Sequence, residues 1–129
     1  MKRLIMCAAL VALGGLGCGG SAPNAVVVTT NDMLDDLKAT LTDYQRDRKG
    51  APKRLADLAS YEPTHQAALH GLSMGSCTYY WGNELSGGAA VVAYETKTDK
   101  EGGVVLLQDG TVKSMTAAEF AAAPKAGKK

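Results

Sequence analysis

The sequence is short of the residues that build covalently stapled or metal-held folds. It has three cysteines and two histidines in 129 residues. No Cys-x-x-Cys pair or other zinc-type spacing occurs. His65 and His70 stand five apart, which on a helix separates them by about 140°. Two such side chains cannot share a metal from one face, so they read as surface or helix-end histidines, and no metal or cofactor is expected. Charge of one sign is also missing. The chain has 14 Lys/Arg against 13 Asp/Glu, and a balanced surface lacks the basic cluster that nucleic-acid binding requires. A long apolar run is missing too. The longest, Leu4 to Leu16, is thirteen residues, well below the roughly 20 that a spanning helix needs.

That short run has another use. Lys2 and Arg3 precede it, and Gly14, Gly15, Gly17, Gly19 and Gly20 crowd its end. A positive start, an apolar stretch and small residues make a signal peptide over 1–17. Leu16-Gly17-Cys18 resembles a bacterial lipobox, in which a small residue precedes the cysteine that receives diacylglycerol. The family usually has Leu three places before that cysteine, whereas Gly15 stands here. The resemblance implies lipid, including fatty acyl chains, on Cys18, and residues 18–29 as a lipid-anchored linker. Gly19 is not the Asp that favours inner-membrane retention. The resemblance therefore implies an outer-membrane anchor, with the domain facing the periplasm or the exterior. Secretory cleavage near Gly20 or Ala22 is the alternative. Gly15 to Gly20 also fits the dinucleotide-binding glycine pattern. The Ser21-Ala22-Pro23-Asn24 that follows cannot open the required helix.

Once 1–17 is removed and Cys18 carries lipid, Cys77 is the only free thiol and no intramolecular disulfide is possible. Met33, Leu34, Leu37, Leu41 and Tyr44 recur at three- and four-residue steps, predicting a helix over about 31–48. Its charged residues, Asp36 and Asp43 among them, read as a solvated face. Gly50 can close this helix in a left-handed turn, and Pro52 bars its continuation. Leu55 and Leu58 suggest a short helix over 53–60. A further turn from Pro63 through Leu69 would end at Gly71.

The second half changes period. Strands are expected at Cys77–Trp81, Ala89–Glu95, Val104–Gln108 and Thr111–Met115. Asp109-Gly110 reads as a two-residue hairpin turn with both residues at positive φ. Thr116 and Glu119 form a capping box for a short helix anchored by Phe120, and 124–129 is a flexible tail. The expected class is α+β. One long N-terminal helix packs on a three- to four-stranded antiparallel sheet, with a short C-terminal helix, over 30–123.

Tyr44, Gly50, Pro52, Leu55 and Leu58, with the hairpin Val104–Val112 around Asp109-Gly110, resemble the globular part of type II secretion pseudopilins and prepilin-like proteins. Small bacterial lipoproteins resemble the stretch from Tyr79-Tyr80-Trp81-Gly82 through Tyr94 to Glu119-Phe120. Together these cover about 31–123. Pseudopilins keep a long assembly helix starting with Phe and carrying Glu at its fifth position. This chain has neither, so the resemblance implies the fold and not polymerisation.

Three functions follow as expectations. The first is a non-enzymatic lipid-anchored envelope protein that binds a protein partner. Tyr79, Tyr80, Trp81 and Tyr94 are its candidate contact residues, because exposed Tyr and Trp anchor partners. The second is a small envelope hydrolase or ligand-binding lipoprotein using Cys77 or the acidic loop. Asp99 and Glu101 there resemble the calcium loop of some pseudopilins, although Lys97 and Lys100 interleave with them. The third is a minor pseudopilin, which would have to retain residues 1–17.

Overall fold

The computed structural model describes residues 29–127. The expected signal peptide, Cys18 and nearly all of the linker lie outside the described residues. The first described element is helix α1, Thr30–Arg48. Thr29 caps it: its hydroxyl accepts the Asp32 N–H, and the Asp32 carboxylate accepts the Thr29 N–H at 3.0 Å. This reciprocal pairing satisfies two donors that a helix start otherwise leaves bare. Met33, Leu34, Leu37 and Leu41 are buried, as their spacing predicts. The left-handed residue that ends α1 is Lys49, at φ 53°, and not Gly50. Lys49 donates its N–H to the Gln45 carbonyl, so the helix closes one residue before the glycine can act. Pro52 is buried, and its carbonyl accepts the Gly82 N–H at 2.8 Å.

A 3-10 helix follows at Leu55–Tyr61, and Leu58 seals it to the core. Helix α2, Gln66–Met74, runs past the expected stop at Gly71 and ends at Gly75, which has φ 72°. Gly71 sits inside the helix because α1 passes close to it. A Cβ built there would stand 2.1 Å from Met33 Sδ.

Strands β1 (Cys77–Tyr79), β2 (Val91–Glu95), β3 (Gly103–Leu107) and β4 (Val112–Met115) form an antiparallel sheet in the order β1-β2-β3-β4. The loop before β3 contains one helical turn, α3, Thr98–Glu101. Helices α1 and α2 cover one face of the sheet. Helix α4, Ala117–Ala122, covers the other with Phe120. Burial on both faces explains why Val91, Val92 and Ala93 are consecutive rather than alternating. The Thr116–Glu119 capping box that opens α4 is formed. The fold is therefore α+β, with a long helix, a four-stranded antiparallel sheet and a short C-terminal helix.

Two expectations about turns and ends need correction. Only Gly110 of the Asp109-Gly110 pair has positive φ, at 86°. Its N–H bonds to the Leu107 carbonyl, and the Leu107 N–H bonds to the Thr111 carbonyl. The hairpin is thus the longer form, in which a turn is followed by one left-handed glycine. Asp109 accepts the Thr111 N–H at 2.8 Å instead of adopting the strained conformation itself. The tail correction concerns Pro124 to Ala126, which are tied to the sheet. Val91 donates to the Pro124 carbonyl and accepts from the Ala126 N–H. They extend the sheet beside β2, in line with β1.

One buried hydroxyl has no partner among the described residues: Thr98 Oγ1. An unsatisfied buried polar group costs about 1–3 kcal/mol, and a methyl group of the same shape removes that cost. Thr98→Val is therefore expected to raise stability by about 1 kcal/mol. Urea unfolding measures it, and a lower midpoint would refute the account.

Candidate functional site

The four aromatic candidates do not form one patch. Tyr79 points into the core beneath α1 and is 3% exposed. Its hydroxyl donates to the Asn83 carbonyl, and burial pushes its ionisation well above the ordinary tyrosine range. Trp81 stands edge-on to Tyr79, with ring centres 4.9 Å apart, yet remains 38% exposed. The chain leaves strand geometry after Tyr79. The Gly82 N–H is held by Pro52, which swings the indole to the rim of the core.

Tyr80 and Tyr94 lie on the opposite face. Their rings are 5.8 Å apart, and Tyr94 meets Phe120 of α4 in a tilted contact with ring centres 4.7 Å apart. Lys125 Nζ lies 4.3 Å from the Phe120 ring centre and also donates to the Phe120 and Ala123 carbonyls. Gly127 rests on Tyr80 so closely that a Cβ would come within 2.4 Å of the ring. The chain's own C-terminal segment therefore covers most of this pair. Of the four, Trp81 is the most exposed, and Tyr80 and Tyr94 are half-buried. Met74, the other large exposed hydrophobic among the described residues, stands beyond the far end of β1.

Cys77 is buried, and burial pushes its thiol up to about 12. At neutral pH it is a small hydrophobe rather than a thiolate. Asp99 and Glu101 are exposed on α3, and Lys97 pairs with Glu95 at 3.3 Å. Among the described residues, no group of three or more His, Cys, Asp or Glu side chains is arranged to hold a metal ion. No helix among them is long and apolar enough to cross a membrane.

The polar cluster that the sequence reading missed centres on His65. It stands at the N-terminal end of α2, as the helix-end reading expects, but it is 7% exposed and not a surface ring. Nδ1 lies 2.8 Å from Asp36 Oδ1, and Nε2 lies 3.0 Å from Asp43 Oδ2. Asp36 and Asp43 are seven apart on α1, two helical turns, so both face the same neighbour. Thr40, between them, is buried and donates its hydroxyl to the Asp36 carbonyl at 2.7 Å. The available signal was this Asp-x3-Thr-x2-Asp row alongside the apolar stripe, which the reading assigned to solvent. The two ring nitrogens point to different carboxylates, so the trio encloses no common ion.

Beside this cluster, α1 and α2 bound a surface groove of about 640 Å³, lined by Thr29, Thr30, Met33, Gln66, His70 and Glu95 among others. Within it the Thr30 hydroxyl donates to Glu95 Oε1 at 3.3 Å. Compared with known proteins, the chain matches no family model, no curated protein and no solved structure, so the functional reading rests on its own residues.

Proposed function

We propose that the protein is a lipid-anchored component of a bacterial cell envelope, exported by residues 1–17 and held to the outer membrane by acyl chains on Cys18. Its folded domain acts as a non-enzymatic protein-interaction or structural module. The observation that carries this reading is the N-terminal pattern: Lys2-Arg3, thirteen apolar residues, then Leu16-Gly17-Cys18. Each buried methylene contributes about 0.8 kcal/mol to membrane binding, and two chains suffice for stable anchoring. The long helix laid on an antiparallel meander supports a prepilin-like domain. The buried, protonated Cys77 favours a binding role over a thiol enzyme, and Trp81 is the residue best placed to meet a partner.

The test is intact-mass analysis of the protein recovered from bacterial membranes, with Cys18→Ala in parallel. The wild type is expected to begin at Cys18 with the added mass of its acyl chains and to fractionate with membranes. The variant is expected to lose both properties. An unmodified N-terminus elsewhere, or retention of Met1 to Leu16, would overturn the proposal.

A further inference from the structure

The strongest unexplained feature of the domain is the ring of His65, packed between two carboxylates. A neutral imidazole has one N–H and one lone pair. At 2.8 and 3.0 Å, a lone pair would be pressed against a carboxylate oxygen on one side or the other. Only the imidazolium satisfies both contacts, by donating twice, and such charge-assisted bonds are about twice as strong as neutral ones.

The surroundings agree. From α1, Asp36 and Asp43 face the ring, and Arg46 lies beyond Asp43 at 3.0 Å. From the segment before α2, the Tyr61 hydroxyl donates to Asp47 rather than to the ring, and Glu62 lines the groove. On α2 the one titratable side chain is His70, which lines that same groove. Two carboxylates and one more distant guanidinium leave a site that favours positive charge.

The contacts also connect parts of the fold. Asp36 uses its second oxygen to accept the Ala68 N–H at 2.9 Å, in the first turn of α2. The Tyr61 carbonyl accepts the His65 N–H at 2.9 Å, fixing the chain on the other side. One proton on His65 thus completes a joint between α1, the 3-10 helix and α2.

We propose that Asp36, His65 and Asp43 form a proton-dependent latch, which clamps the start of α2 onto α1 in mildly acidic surroundings and loosens it when the ring loses its proton.

The pH window follows from the two directions of shift. Burial opposes charge on His65, but the hydrogen bonds and charges of Asp36 and Asp43 outweigh it, so its pKa is raised. An unfolded histidine titrates near about 6.5. The latch's contribution is therefore full below about pH 6.5 and is lost as pH rises through the native value. Asp43 shifts the other way, held below the usual carboxylate range chiefly by its hydrogen bond from His65. Its contribution is present above about pH 4 and is lost as pH falls through its native value. The latch is closed between these limits.

The test uses the full chain. Ring-nitrogen NMR, with His70→Gln to remove the second histidine, is expected to show His65 protonated on both nitrogens at pH 6. Its pKa should lie above the roughly 6.5 of an unfolded histidine. Urea midpoints from pH 5 to 9 should fall with rising pH in the wild type and lose that slope in His65→Gln. Each unit of pKa difference between native and unfolded states appears as a tenfold change in the folding equilibrium. Should His65→Gln not fold, Asp43→Asn keeps the ring and should move the fall to lower pH. Amide exchange gives the readout specific to a latch. Protection of Ala68 and Leu69 should drop between pH 6 and 8 by at least tenfold more than that of core amides in α1, after correction for intrinsic rates. A neutral His65 at pH 6, identical pH slopes in wild type and His65→Gln, or uniform loss of protection would overturn the proposal.

Discussion

Leu37→Ala is expected to lower stability by about 2–5 kcal/mol, more than any surface change in the domain. Leu37 is fully buried in the middle of the α1 stripe, in one cluster with Leu34, Leu41, Tyr79, Ala93 and Leu106. Truncation removes three carbons of transfer free energy and leaves a cavity that the rigid sheet on the far side cannot close. For a domain of about 100 residues, each kcal/mol moves Tm by roughly 4–8 °C, so a fall of about 8 °C or more is expected. Asp35→Ala, two residues away on the exposed side of α1, serves as the control and should stay within about 0.5 kcal/mol of the wild type. Calorimetry of the two variants decides it. Equal Tm values would mean that α1 does not provide the core.

Much of this core was legible because burial follows period. The three- and four-residue steps from Met33 to Leu41 placed α1, and the Thr-x-x-Glu pattern at 116–119 placed α4. The misreadings share a physical cause, which is that tertiary contact overrides a local rule. A glycine after a charged helix end suggests a stop, yet Lys49 takes the left-handed position and Gly50 is not needed for it. Gly71 reads as a helix end, but it is there because Met33 occupies the space of a side chain. The tail from Pro124 looks polar and unpatterned. It is recruited because Val91 retains backbone groups facing that side of the sheet.

The candidate site was less legible than the fold. Alternation correctly separated Tyr79 from Tyr80 across the sheet, but no pattern disclosed that α4 and Lys125 would cover the second face. Asp36 and Asp43 have the composition of a solvated face. Their role appears only when a distant ring arrives between them, 29 and 22 residues along the chain. Long-range pairing of this kind leaves no periodic trace.

Gly71→Val is the second change with a large expected effect, and its cause can be separated from general disruption. A Cβ at position 71 would come 2.1 Å from Met33 Sδ and 2.8 Å from Met33 Cγ. Both distances are far inside van der Waals contact, so the Met33 side chain must move, and the groove that it lines with Gly71 is the open direction. Helix propensity works slightly the other way, since valine is a better helix former than glycine by a few tenths of a kcal/mol. Overpacking costs about 1–3 kcal/mol and sometimes more, and the branched valine adds two further carbons toward α1. A net loss of about 1–3 kcal/mol is expected. If the close approach of Met33 is the reason, shortening that residue should restore much of the loss. Met33→Ala alone costs stability by leaving a cavity. Combined with Gly71→Val, it should cost clearly less than the sum of the two single changes. A coupling of at least about 1 kcal/mol is the expected result, because the two residues are in direct contact. Strict additivity in urea unfolding would show that Gly71 is required for some reason other than the space taken by Met33. The close crossing of α1 and α2, which the His65 joint also depends on, would then lose its steric explanation.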